Sequence, residues 1–128
     1  MDGKPRVLIV EDNMDLLEIL EQLLSVDYSV ATTRRGEEGI TLATSFRPDV
    51  VILDLQLPGM GGIEAGLRIK RLADNVPILV LTALAGKGEP EAVLASGCCD
   101  AYMSKPASLD AIRAQVEQLL RSGAGTTG

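Results

Sequence analysis

Three runs of four consecutive aliphatic residues limit what this chain can fold into. They are "VLIV" at 7–10, "VVIL" at 50–53 and "ILVL" at 78–81. A strand with one solvent-facing side alternates apolar and polar residues, whereas an uninterrupted apolar run predicts a strand buried on both faces. Two more polar runs, "YSVAT" at 28–32 and "AYM" at 101–103, predict two further strands nearer the edges of the sheet.

Amphipathic stretches separate these five strands. The first follows Asn13, a candidate N-cap, and carries leucines from Leu16 to Leu24 at helical spacing. The last follows Ser108, a second candidate N-cap, and places Leu109, Ile112, Val116 and Leu119 on one stripe. Between them we expect helices at about 36–45, 62–72 and 90–96.

Alternating strands and helices predict an α/β fold with a parallel sheet. The three most apolar strands, which are the first, third and fourth, should be central. The second and fifth should lie at the edges. The simplest right-handed arrangement with these edges is a doubly wound, five-stranded parallel sheet of order 2-1-3-4-5, covered by five helices.

The carboxyl ends of the predicted strands carry the side chains best suited to chemistry. These are Glu11 and Asp12 after the first strand, Asp54 after the third, Thr82 at the end of the fourth and Lys105 after the fifth. In a doubly wound sheet, ligands bind outside these ends, at the switch point between strands one and three. We therefore expect three carboxylates, a hydroxyl and an ammonium to meet in one cleft.

Three neighbouring carboxylates repel one another unless a cation lies among them. Oxygen ligands without histidine favour Mg²⁺ or Ca²⁺, and a sparse set that leaves room for water and phosphate favours Mg²⁺. Lys105 would place a positive charge on the far side of the cleft, and Thr82 would offer a hydroxyl to a phosphoryl oxygen. Asp54 is a candidate nucleophile, because carboxylates form acyl-phosphate intermediates.

The composition argues against several classes of function. The 128 residues include no histidine, which removes histidine-based catalysis and histidine metal ligands. The formal net charge of −6 argues against nucleic acid as a direct partner. There is neither a membrane-spanning segment nor the apolar core of a signal peptide, so we expect a cytoplasmic protein without membrane insertion. Cys98 and Cys99 should be reduced.

Four blocks of sequence coincide with the predicted strand ends. They are "VLIVEDN", "VVILDLQLPGMGG", "LVLTA" and "AYMSKP". Together they resemble the signatures of response-regulator receiver domains, which have the CheY-like fold, and the resemblance covers about residues 5–121. It implies a switch in a two-component phosphorelay. Such a switch accepts a phosphoryl group from a histidine kinase or a histidine phosphotransfer protein, and then changes the face that binds a downstream effector protein or domain.

The resemblance also implies a role for each residue of the cleft. Asp54 would be the phosphoacceptor. Asp12, Asp54 and the main-chain carbonyl of Gln56 would bind Mg²⁺, with Glu11 acting largely through water. Gln56 and Leu84 would flank the site and influence the lifetime of the phosphoryl group.

The remaining implied roles concern the phosphoryl group and the switch. Thr82, the main chain at Ala83 and Lys105 would contact the phosphoryl group. The Lys105–Pro106 bond would be cis. Tyr102 would be the switch aromatic, turning inward as Thr82 moves toward the phosphoryl group.

Other functions compete with this interpretation. An aspartate-nucleophile phosphatase of the haloacid-dehalogenase kind needs a second aspartate two residues after the nucleophile. This chain has Gln56 there, which cannot exchange a proton near neutral pH. A binding module that has lost phosphorylation would lack Asp54 or Lys105, and both are present. We therefore expect a receiver that catalyses only its own aspartyl phosphorylation and dephosphorylation, rather than a conventional enzyme.

The expected organisation is one receiver domain over 1–121, followed by a flexible tail or the start of a linker at 122–128. The opening "MDGKPRVLIVED" favours a natural N-terminus, so we expect a single-domain regulator or an N-terminal receiver. A receiver fragment of a larger hybrid kinase or transcription regulator remains an open alternative.

Overall fold

Strands and helices alternate through the whole chain in the computed structural model, which describes residues 3–83 and 89–125, without the side chains of 89 and 123–125. The strands are β1 Arg6–Val10, β2 Ser29–Thr33, β3 Val50–Leu53, β4 Ile78–Thr82 and β5 Ala101–Ser104. The helices are α1 Met14–Leu24, α2 Gly36–Ser45, α3 Gly62–Leu72, α4 Glu89–Ala95 and α5 Leu109–Gly125.

The five strands form one parallel sheet in the order β2-β1-β3-β4-β5. This confirms the predicted fold class and strand order. All residues of β3 and β4 are buried, as expected for strands covered by helices on both faces. The edge strand β2 is mostly half-buried, which agrees with its more polar sequence.

Alternation along the central strands divides the apolar core into two layers. One face of the sheet packs against α1 and α5. Its buried residues include Val7, Ile9, Ile52, Leu79, Leu81, Leu20 and Val116. The other face packs against α2, α3 and α4, and its buried residues include Leu8, Val10, Leu53, Val80, Ala43, Ile69 and Val93. Because successive strand residues point to opposite faces, a four-residue apolar run supplies both layers at once.

The helix starts follow the predicted caps. The Asn13 side chain accepts a hydrogen bond from the Leu16 N–H at 3.0 Å, and the Ser108 hydroxyl accepts one from the Ala111 N–H at 3.1 Å. Leu109 departs from its predicted stripe. It is 40% exposed, because as the first residue of α5 it precedes the turn that packs on the sheet.

The last helix also continues further than the sequence indicated. α5 extends to Gly125, four residues into the segment expected to be a tail, and 126–128 lie outside the described residues. Within the described ranges, no helix has the length and apolar character needed to cross a membrane. Cys98 and Cys99 are buried free thiols between α4 and β5.

The glycines of α3 permit close contact between this helix and the sheet. A Cβ on Gly62 would lie 2.8 Å from the carbonyl oxygen of Leu55 and closer still to its Cα. A Cβ on Gly66 would lie 2.7 Å from the carbonyl oxygen of Cys98. Main chain cannot yield as a flexible side chain can, so these positions require glycine. Leu55 directly follows Asp54, and α3 therefore packs immediately against the candidate site.

We predict that Gly62→Ala destabilises the protein by about 1–3 kcal/mol or more, because its methyl group overlaps the Leu55 main chain. Gly61→Ala is the matched control. Its Cβ would meet nothing within 4 Å, its φ of −65° suits any residue, and its effect should stay within about 1 kcal/mol. Urea unfolding of the parent and both variants measures the difference. Equal stability of the two variants would contradict the close packing described here.

Candidate functional site

The sheet brings the predicted site residues to one edge, where main-chain hydrogen bonds hold the residues that follow the strands. The Asp54 N–H donates to the Val10 carbonyl at 3.0 Å, and the Lys105 N–H donates to the Thr82 carbonyl at 2.8 Å. Four neighbouring strands thus end in one cleft, as the strand order requires.

The Lys105 ammonium lies between two buried carboxylates. Its Nζ is 2.9 Å from Glu11 Oε1 and 3.2 Å from Asp54 Oδ2. Glu11 is 1% exposed and Asp54 is 4% exposed. Two negative charges so close together and so poorly solvated would repel each other strongly, and the ammonium compensates for both. The sequence predicted Lys105 on the far side of the cleft, and the structure shows it bridging the acids.

Main-chain donors fix the second oxygen of each of these carboxylates. The Gln56 N–H donates to Asp54 Oδ1 at 3.0 Å, and the Asn13 N–H donates to Glu11 Oε2 at 3.0 Å. Each acid is therefore held at both oxygens, and its orientation is set before any ligand arrives.

Burial and neighbouring charges shift the pKa values of both Glu11 and Lys105. Burial raises the pKa of Glu11, and the nearby Asp54 charge adds to this. The hydrogen bonds from Lys105 and the Asn13 N–H only partly offset the increase. Burial alone would lower the pKa of Lys105, but its contacts with Glu11 and Asp54 outweigh burial and raise that pKa. Lys105 is therefore a firmly protonated cation at neutral pH.

Asp12 contacts a different cation, Arg34. Its Oδ1 is 3.5 Å from the Arg34 guanidinium, and both side chains are about half exposed (46% and 50%). Among the described residues, no three acidic or thiol side chains are already gathered around a point where a metal ion could be held. The donor types nevertheless fit Mg²⁺, because carboxylate and carbonyl oxygens are the ligands that this ion takes from proteins.

The other predicted site residues lie around the same edge. Thr82 is fully buried and pairs in register with Ser104, while Ala83 is exposed just beyond it. Tyr102 is half-buried on β5 and packs against the core layer that contains α3 and α4. The Lys105–Pro106 peptide bond is cis, as the resemblance implies. Leu84 lies outside the described residues.

Arg34 contacts the candidate site through Asp12 and was not among the residues predicted from the sequence. It lies in the turn after β2, which ends at Thr33, whereas the sequence indicated an end at residue 32. Residues that follow an edge strand beside β1 belong to the same edge of the sheet. Considering the residues that follow β2, as was done for the other four strands, would have identified Arg34.

Comparison with known proteins agrees with the fold. The family model described as the response regulator receiver domain matches residues 7–117. The chain is 38% identical over 117 residues to the response regulator MprA of Mycolicibacterium vanbaalenii, and 37% identical over 117 residues to MprA of Mycobacterium avium. Each match covers 91% of this chain, which spans about half the length of these curated relatives (50% and 51%).

Solved structures show the same architecture. The non-phosphorylated HemR receiver domain from Leptospira biflexa is 32% identical, with a TM-score of 0.82 over 91% of this chain and 94% of that one. A CheY-like receiver domain protein from Methanospirillum hungatei is 22% identical, with a TM-score of 0.90 over 97% and 99% of the two chains, and supports the fold alone. The strand order, the acids at the strand ends and the match over residues 7–117 lead to one conclusion: this chain belongs to the receiver domains of two-component response regulators.

Proposed function

We propose that this receiver is a phosphorylation switch whose acceptor is Asp54. The phosphoryl group comes from a phosphohistidine on a histidine kinase or a histidine phosphotransfer protein, and phosphorylation alters the surface offered to an effector protein or domain. The observation that carries the proposal is the setting of Asp54. It is a buried carboxylate at the carboxyl end of β3, oriented by the Gln56 N–H and in contact with the Lys105 ammonium.

Phosphoryl transfer to Asp54 is a single displacement at phosphorus. A carboxylate oxygen of Asp54 forms a bond to phosphorus while the bond from phosphorus to the donor imidazole nitrogen breaks. The released imidazole remains on the donor protein. Lys105 is already 3.2 Å from Asp54, so it can stabilise the negative charge of the transferring group without a large movement. The phosphoryl oxygens would also meet the Thr82 hydroxyl and the main chain at Ala83.

Asp12, Asp54 and the main-chain carbonyl of Gln56 would hold Mg²⁺, with Glu11 acting through water. The ion would neutralise charge on the phosphoryl oxygens. The protein itself supplies the orientation of Asp54 and the compensating charge of Lys105. It also supplies the low exposure of the site, which limits attack by water on the acyl phosphate.

The conformational change would begin at Thr82 and then involve Tyr102. Phosphorylation adds about −1.5 to −2 charge and three acceptor oxygens at Asp54. Movement of the buried Thr82 hydroxyl toward these oxygens would open space beside β5, where Tyr102 is only half-buried. Tyr102 would turn inward and change the face formed by α4, β5 and α5. A partial population shift is expected, because inverting a population from 1:99 to 99:1 takes about 5.5 kcal/mol.

A turnover phosphatase is a weaker interpretation. Gln56 follows Asp54 at the position where such an enzyme carries its acid–base aspartate, and its N–H is used to orient Asp54. We propose self-catalysed phosphorylation and dephosphorylation in the cytoplasm, within a larger regulator of the kind represented by the relatives that this chain half covers.

Acetyl phosphate with Mg²⁺ should add one phosphoryl group to the parent protein and none to Asp54→Asn, because the amide is not a nucleophile for phosphorus. Asp74→Asn is the matched control. It makes the same chemical change at an exposed residue of positive φ (58°), which asparagine also adopts, at the opposite end of the sheet. Intact-mass measurement reports the modification. Stoichiometric phosphorylation of Asp54→Asn at the parent rate would exclude Asp54 as the acceptor.

A second prediction isolates the Thr82 hydroxyl. Thr82→Ala and Thr82→Ser both remove the same buried methyl group, but only Ala removes the hydroxyl. Both variants should still accept a phosphoryl group on Asp54. With beryllofluoride as a phosphoryl mimic, the serine variant should keep most of the parent's NMR shift changes around Tyr102, and the alanine variant should lose most of them. If Thr82→Ala keeps the parent's full shift changes around Tyr102, the response of Tyr102 does not depend on the Thr82 hydroxyl.

A further inference from the structure

Arg34 contacts Asp12 at two points. Its Nε donates a hydrogen bond to the Asp12 main-chain carbonyl at 3.1 Å, and a terminal nitrogen lies 3.5 Å from the Asp12 carboxylate. The first contact fixes the guanidinium beside the end of β1. The second pairs the carboxylate of Asp12 with a residue that follows β2.

The turn that carries Arg34 is itself anchored. The Thr33 hydroxyl donates to the Glu38 carboxylate and accepts the Arg35 N–H at 3.2 Å. The Thr33 carbonyl accepts the Glu11 N–H at 3.0 Å. Thr33 is 4% exposed, so these bonds form in a poorly solvated place. The Arg34 backbone is therefore held at a fixed distance from the acids of the cleft.

The charges of the cleft are nearly balanced by the protein itself. Lys105 compensates Glu11 and Asp54, and Arg34 faces Asp12. A divalent cation that uses Oδ1 of the Asp12 carboxylate must compete with the Arg34 guanidinium for that oxygen. Arg34 is half exposed and lines an open cleft with Asp12, Pro58 and Gly59, so its side chain can leave without disturbing the core.

The geometry points to Arg34 as a positioning residue that holds Asp12 away from the cation position and so weakens Mg²⁺ binding. This inference rests on the proposed function, which assigns Asp12 to Mg²⁺. The side-chain contacts of Arg34 are with Asp12, so it acts through Asp12. The receiver thus has a built-in competitor that raises the Mg²⁺ concentration needed to assemble the site.

The test is a Mg²⁺ titration of the parent, Arg34→Gln and Arg35→Gln, followed by NMR at the amides of Asp12, Asp54 and Gln56. Arg35 is the matched control, because it is the adjacent arginine, is exposed and loses the same charge. Arg34→Gln should tighten Mg²⁺ binding at least about threefold, the equivalent of an exposed ion pair, and Arg35→Gln by clearly less. The parent's Arg34 Nε–H signal should shift with the same midpoint as the Asp54 amide.

Arg34→Lys provides a second check, because it keeps the charge and loses the two-point contact with the Asp12 main-chain carbonyl and carboxylate. Its Mg²⁺ affinity should fall between those of the parent and Arg34→Gln. Equal tightening in Arg34→Gln and Arg35→Gln would reduce the effect to net charge and overturn the positioning role. Another outcome is that the parent binds Mg²⁺ and is phosphorylated while Arg34→Gln has the same Mg²⁺ titration midpoint as the parent. That result would overturn the positioning role and leave the proposed function standing. Absence of Mg²⁺ binding in every variant would overturn both this inference and the proposed function.

Discussion

The Lys105 ammonium between Glu11 and Asp54 is the contact on which the site depends. Burying two carboxylates side by side, 1% and 4% exposed, costs much less free energy with a cation in direct contact. The apolar strands create this requirement, because they bury the ends that carry the acids. Parallel strand pairing also supplies the cation, because Lys105 after β5 lies at the same edge of the sheet as Glu11 after β1 and Asp54 after β3.

The same arrangement connects stability with reactivity. The groups that balance charge in the resting protein, Lys105 and Arg34, are positioned next to the acids that a metal ion and a phosphoryl group would engage. Under the proposed function, a ligand at this site would therefore exchange partners with protein cations. Exposure distinguishes the two cations: Lys105 is 19% exposed and contacts the buried acids, whereas Arg34 is 50% exposed.

Much of this could be predicted from the sequence. Continuous apolar runs located β1, β3 and β4, and the strand order then followed from which strands were polar enough for the edges. The pairing of side chains could not be predicted, because it depends on loop geometry. The bridging position of Lys105 and the contact between Asp12 and Arg34 are examples. A one-residue error at the end of β2 was enough to hide Arg34, and the contact of Gly62 with Leu55 appears only when α3 is packed on the sheet.

The most direct measurement of the role of Lys105 is the free energy of unfolding of the parent and Lys105→Met, each with and without Mg²⁺. If Lys105 is the counter-ion of Glu11 and Asp54, the variant should lose a few kcal/mol in metal-free buffer, because the buried acids face each other uncompensated. Added Mg²⁺ should then stabilise the variant more than the parent, since the ion would supply positive charge that the ammonium already supplies in the parent. A small loss of stability, together with equal stabilisation of both proteins by Mg²⁺, would contradict this role.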